Sequence, residues 1–270
     1  MTRVFRVRTE LRRQLRRPRT AWTFGLVVLL PVIAVLAFEF GTDRQTRSTG
    51  LIGLATASAA NFAVFMVLVS ASFLFVVIVA LFCGDTVAAD AAAGSLRYLL
   101  AAPVPRSRLL TVKLVVGLLL SLVALVVLGL VSLAVGAIAF GWQPFQTLSG
   151  DDVAAWAAPL RLAGSIGYCA IVLLTTAGIA FFLSVSTDAP LGAVGGAVMV
   201  AVLSGILDQI TALGRLRSLL PMHYETAFLG LLSSPVQTDD MVRGTISAVA
   251  YAVVFLSLAW WRFHRKDITS

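Results

Sequence analysis

Four residues set most of the limits on what this sequence can do chemically: its two lysines, Lys113 and Lys266, and its two histidines, His223 and His264. A phosphate-cradling loop of the form GxxxxGK[ST] needs a lysine directly after a glycine, and neither lysine follows one, so ATP is not bound in that way. Zinc chemistry needs closely spaced ligands such as HExxH or CxxC, which do not occur. A serine nucleophile needs a base within reach, and His223, the one histidine expected on the outer face, sits in no GxSxG-type setting. Cys83 and Cys169 lie within or at the end of apolar runs, where they read as small packing residues rather than a disulfide or metal pair.

What remains is electrostatic. Glu39 and Asp208 fall near the outer ends of the first and fifth apolar runs, and ionisable groups at membrane depth are candidates for lining a path that favours cationic or hydrogen-bonding cargo. The same residues could equally reach the interface and do no more. The other concentration of polar residues is the stretch from Gly84 to Arg108, GDTVAADAAAGSLRYLLAAPVPRSR, with Lys113 shortly after it.

These residues must be positioned by helices in lipid. The chain has 270 residues, of which 59% are hydrophobic and 13% charged, and its mean hydropathy is +0.94, a balance foreign to soluble domains. Crossing a hydrocarbon core takes roughly 20 apolar residues in a helix. Six runs qualify, at about Ala21–Phe40, Ser58–Cys83, Leu109–Phe140, Leu162–Val185, Leu191–Leu213 and Thr245–Trp261. They are continuously apolar, without the period-two alternation of barrel strands. The first run is long and precedes no small-x-small cleavage site, so it is expected to stay as an anchor.

The formal charge of +8 reads as topology rather than as nucleic-acid binding. With the N-terminus inside, 15 of the 21 lysines and arginines face the cytoplasm, eight of them within the first twenty residues. The positive-inside rule then places both termini in the cytoplasm, as an even number of spans requires. All five tryptophans fall at or just beyond the ends of runs, where their rings suit the headgroup level.

Residues 1–18 predict a basic interfacial helix, with Val4, Val7, Leu11 and Leu15 on one stripe and Pro18 turning the chain into the membrane. In the loop 84–108, Leu96, Leu99 and Leu100 recur beside Asp90, Ser95 and Arg97, predicting that the second span continues as a short amphipathic helix, which Pro103 and Pro105 stop. The segment 214–243 is too apolar for a solvated loop and predicts short external helices dipping into the outer leaflet, broken at Pro221 and Pro235. Gly192 and Gly196 form a GxxxG in the fifth span, a packing signal. The division is a single membrane domain over 1–270.

This order of features resembles the ABC-2 type permeases, the membrane subunits of ATP-binding-cassette exporters. The resemblance covers nearly the whole chain. It is most specific in Asp90, Gly94-Ser95-Leu96-Arg97, Leu99-Leu100, Pro103-Val104, Arg106, Leu109-Leu110 and Lys113, which are similar to that family's acidic, Gly-Ser/Thr-Leu, Pro-Val and Arg signature. Asp90 stands where glutamate is commoner. The resemblance implies an all-α membrane fold of six transmembrane helices, with an N-terminal interfacial helix and a cytoplasmic coupling helix between spans 2 and 3. It implies that Asp90, Gly94, Ser95, Leu96, Arg97 and Arg106 contact a separate ATPase subunit, present in two copies, which binds ATP and Mg. It also implies a second permease copy, identical or related, and export of a hydrophobic or amphipathic compound. The chain itself is then no enzyme. A membrane-embedded enzyme or a non-transporting assembly factor is the rival reading, and it would need polar catalytic residues converging inside the spans. The excess of arginine over lysine, with abundant alanine and valine, points to a GC-rich bacterial genome and a bacterial cell membrane.

Overall fold

The computed structural model describes residues 7–41, 50–94, 105–147, 152–153 and 156–265, which are helical nearly throughout. Six helices are long and apolar enough to cross a membrane, so the chain is a multi-pass membrane protein.

Helix α1 (Val7–Leu15) is short and basic. It meets α2 (Pro18–Gly41) at a sharp elbow, where Pro18 takes the first helical position and its missing N–H removes no helical bond. The Thr20 hydroxyl donates to the Gln14 carbonyl at 2.7 Å and fixes the angle between the two helices. After α3 (Gly50–Thr56) comes α4 (Ala59–Ala92), capped by the Ser58 hydroxyl, which accepts the Asn61 N–H at 3.2 Å. Residues Ala71–Phe75 of α4 are π-helical. The helix closes at Gly94, whose φ of +64° is a left-handed conformation that glycine adopts without strain.

Helix α5 (Arg106–Phe140) starts directly after Pro105. Beyond it, β1 (Phe145–Gln146) and β2 (Asp152–Val153) pair antiparallel, with Phe145 opposite Val153. Helices α6 (Ala158–Ser186) and α7 (Pro190–Asp208) follow, then two 3-10 helices, Thr211–Leu219 and Ala227–Leu232, and finally α8 (Asp239–Arg265). The fifth span ends at Asp208, before the expected Leu213, because the chain there turns through Gln209 and Ile210 into the first 3-10 helix, which Gly214 kinks at φ +51°. The sixth begins at Asp239 rather than Thr245.

Helices α4 and α6 form the centre. α6 packs along α8, α4 and α7, while α4 also carries α5, and α2 leans on α5 from outside. In lipid there is no hydrophobic force between apolar helices, so close approach and dispersion decide which faces meet. A Cβ on Gly117 of α5 would sit 3.0 Å from the Phe82 carbonyl oxygen and 3.1 Å from the Cys83 sulfur, and one on Gly84 would sit 3.4 Å from the Val194 backbone. These two glycines clasp α4 between α5 and α7 at one level. The expected GxxxG plays a smaller part, since Gly196 faces only the Leu183 side chain and Gly192 only Ala189.

Candidate functional site

At the level just beyond that clasp, α4 turns polar. Asp85, Thr86 and Asp90 are all buried, and Lys113, from the second turn of α5, is wholly shielded from water. The Lys113 ammonium donates to the Thr86 carbonyl at 2.6 Å and to the Asp90 carboxylate. Thr86 and Asp90 are one turn apart on α4, so a single lysine reaches both.

The second layer comes from α1. Arg13 grips Asp90 with both terminal nitrogens, at 2.9 and 3.2 Å, and also donates to Glu10 at 2.6 Å. Glu10 is only 3% exposed, accepts from Gln14 at 3.3 Å and lies 3.9 Å from Lys113. Arg17 donates to Asp85 at 2.9 Å, and Arg19 pairs with the same carboxylate. Partial burial by itself would weaken the Arg13 charge, but the bonds to Asp90 and Glu10 outweigh it and hold the guanidinium above the ordinary arginine range. Such a network is stable only as a whole, because each buried charge that loses its partner keeps its desolvation cost.

The elements are thus locked together at the arginine-rich end. The face that α1 turns inward is polar, carrying Glu10 and Gln14, while Val7 and Leu15 of the apolar stripe are exposed. Arg106 bonds the Phe263 and His264 carbonyls at 3.3 and 3.2 Å, which brings the last turn of α8 to the first turn of α5.

The structure therefore treats the sequence-predicted residues differently. Asp90, expected to face a partner, is 2% exposed and turned into the chain. Its surface was already taken, since Arg13 and Lys113 occupy the carboxylate. Gly94 ends α4, and Arg106 opens α5. Ser95, Leu96 and Arg97 lie outside the described residues. Glu10, Arg13, Arg17, Arg19, Asp85 and Lys113 are the charged members that sequence reading did not name as site residues. The one sequence signal is that Lys113 stands between Val112 and Leu114 in a strongly apolar run.

The opposite end of the bundle holds a second polar group. Asp208 contacts His223 Nδ1 at 2.5 Å and Arg217 Nε at 3.4 Å. The 3-10 segment that brings these residues is tied to four spans. The Met222 N–H donates to Ser204 at 3.0 Å, the Tyr168 hydroxyl to the Tyr224 carbonyl at 2.8 Å, the Tyr251 hydroxyl to the Leu219 carbonyl at 2.5 Å, and Ser72 to Glu225 at 2.8 Å. Glu39 is exposed on the last turn of α2, whose main neighbour is α5, whereas Asp208 ends α7 beside α4 and α6. The two carboxylates are not brought together, and Asp208 is paired within the chain with His223 and Arg217.

Residues 29–269 match the family described as "Protein of unknown function (DUF2705)". The match begins within α2, so Asp85, Asp90 and Lys113 lie inside it and Glu10 and Arg13 before it. No curated protein matches the chain.

Proposed function

The chain belongs to the DUF2705 family, whose function is unknown, and from that premise we propose that it is the permease subunit of an ABC-2 type exporter. The observation that carries the proposal is the buried network joining α1, the end of α4 and the start of α5 through Arg13, Asp90 and Lys113. Together with the resemblance of residues 90–113 to the signature of that class, it supplies what such a subunit needs. The stretch between Gly94 and Arg106 is anchored on both sides by helices that cannot shift separately without breaking buried ion pairs.

In this reading the arginine-rich end faces the cytoplasm, and a separate ATPase subunit seats on Gly94, Ser95, Leu96 and Arg97. Asp90 acts from behind that surface as an anchor, and Arg106 carries the displacement to α8. ATP and Mg belong to the ATPase, and closure of two ATPases tilts two permease copies as rigid bodies. A hydrophobic or amphipathic compound crosses between them.

Affinity purification of the chain from its native membrane in mild detergent, followed by identification of co-purifying subunits and an ATPase assay, tests the reading. The wild type should bring down an ATP-binding subunit, and Gly94→Pro and Arg97→Glu should lose it. Absence of that subunit from the wild-type preparation removes the permease reading; full retention by both variants removes the contact site.

A further inference from the structure

Five carboxylates among the described side chains are buried or half-buried, and four of them have an arginine: Glu10 and Asp90 have Arg13, Asp85 has Arg17, and Asp208 has Arg217. Glu225 is the exception. Among the described residues its carboxylate has one hydrogen-bond partner, the hydroxyl of Ser72 at 2.8 Å, and no lysine or arginine pairs with it. Burial and the nearby charge of Asp208 push its carboxyl above the usual range, against the Ser72 bond.

Its position is as unusual as its partner. Ser72 stands thirteen residues into α4, about 20 Å along the helix from its start, so the 3-10 segment carries Glu225 well into the apolar length of the span. Ser72 itself is exposed and belongs to the π-helical turn Ala71–Phe75. Such turns interrupt the regular ladder and concentrate at functional places. Val69, three residues earlier, is 54% exposed and Phe73 is 61% exposed. A carboxylate, a hydroxyl and an apolar and aromatic flank therefore meet on one uncovered part of α4.

We propose that Glu225 and Ser72 form a binding subsite for an organic cation, such as the ammonium head of an amphiphile, whose apolar part lies along Val69 and Phe73. An inorganic divalent ion does not fit, because Ca²⁺ takes roughly six to eight oxygen ligands and this place offers a carboxylate and one hydroxyl. An organic cation needs charge compensation and apolar contact instead, and Phe73 adds an aromatic face that attracts cations. The charge missing from the protein is thus supplied by the ligand. Only the identification of this cation as cargo rests on the permease reading; the binding itself does not.

The test uses the full-length chain in nanodiscs of neutral phospholipid and equilibrium dialysis of labelled tetraphenylphosphonium, with neutral triphenylphosphine oxide as the comparison. Wild type should show a saturable site for the cation beyond lipid partitioning. Glu225→Gln, which keeps an acceptor for Ser72, should weaken it by at least about tenfold, since losing one partner of a desolvated charge pair costs more than a tenfold change in affinity. Asp240→Asn, at an exposed carboxylate of α8, should leave binding unchanged, as should either substitution for the neutral compound. Should Glu225→Gln fail to fold, carbodiimide labelling of Glu225 in the wild type, read by mass spectrometry, should slow when tetraphenylphosphonium is present. Equal binding by wild type and Glu225→Gln, or labelling indifferent to the cation, overturns the proposal. A saturable site in a chain that recruits no ATPase would remove the permease reading and leave this one standing; an ATPase partner without a saturable site would do the reverse.

Discussion

Asp90 and Lys113 stand 23 residues apart in the chain and meet across the α4–α5 contact, with the lysine wholly shielded from water. A buried ammonium at this depth is tolerated only because Asp90 and the Thr86 carbonyl both receive it. Glu10 and Arg13 pair with each other and are of opposite charge, so Asp90 and Lys113 can be removed together without leaving an odd charge behind.

That balance sets the first expectation. Asp90→Asn or Lys113→Met alone should destabilise the protein by about 3–5 kcal/mol, the cost of one uncompensated buried charge. The double substitution Asp90→Asn with Lys113→Met should recover more than half of the loss, because Glu10 and Arg13 still neutralise each other. Unfolding followed in detergent for the two singles and the double gives the coupling energy directly. Additive losses would mean that the pair is not an electrostatic unit.

Arg13 sets a second. Its pKa is raised in the folded state, so the stability it contributes is present below the unfolded arginine value and is lost only as pH rises past the still higher folded value. Docking of α1 should therefore persist throughout the alkaline range that the protein survives, whereas Arg13→Gln should release it at neutral pH. Limited proteolysis between α1 and α2 reads this: rapid cleavage in Arg13→Gln, slow cleavage in the wild type at both neutral and alkaline pH.

Glu225 responds to pH in the opposite sense to an ordinary surface carboxylate. Its folded pKa is raised, so its contribution to stability is greatest below the unfolded value and is lost as pH rises through the folded value. Cation binding selects the ionised form, so affinity for tetraphenylphosphonium should fall as pH drops through that raised value. The groups facing Glu225 are Asp208 with its partners His223 and Arg217 on one side, Ser72 on α4, and Cys169 on α6. Because His223 bonds Asp208 beside Glu225, the profile should be measured in wild type and His223→Gln. The acid limb should survive in the variant if Glu225 causes it.

Gly244 offers a steric test of how the 3-10 segment is held. A Cβ there would sit 2.1 Å from the Tyr168 hydroxyl oxygen and 2.6 Å from the Tyr224 Cβ. Gly244→Ala should cost about 1–3 kcal/mol, as overpacking usually does, and should break the bond from Tyr168 to the Tyr224 carbonyl. Adding Tyr168→Phe removes the clashing oxygen, so the double variant should be more stable than the two single losses predict. Thermal unfolding of the three variants decides it.

Much of this was open to reading from the residues in order. The six spans follow from hydropathy, which adds up locally: a run such as that in α5 is apolar whatever it packs against, and lipid is its solvent. The elbow at Pro18 and the break at Pro221 follow from a ring that fixes φ and lacks an N–H. Helix ends were less legible where a tertiary partner set them, as at Asp208, whose contacts with His223 and Arg217 accompany the early end of α7.

The sites were not legible in the same way. Asp90 read as a surface residue because it was grouped with the polar Ser95 and Arg97 of the same loop, yet its partner Arg13 lies 77 positions away. Glu225 attracted no attention within an apolar segment, and Ser72, which bonds it, is 153 positions distant. Sequence by itself determined which solvent each stretch prefers, because that preference is a sum over neighbouring side chains. Tertiary structure alone decided which charge meets which, because that depends on how far each helix is rotated about its axis and where along its length it crosses another, and in apolar helices those are set by close packing at residues such as Gly84 and Gly117.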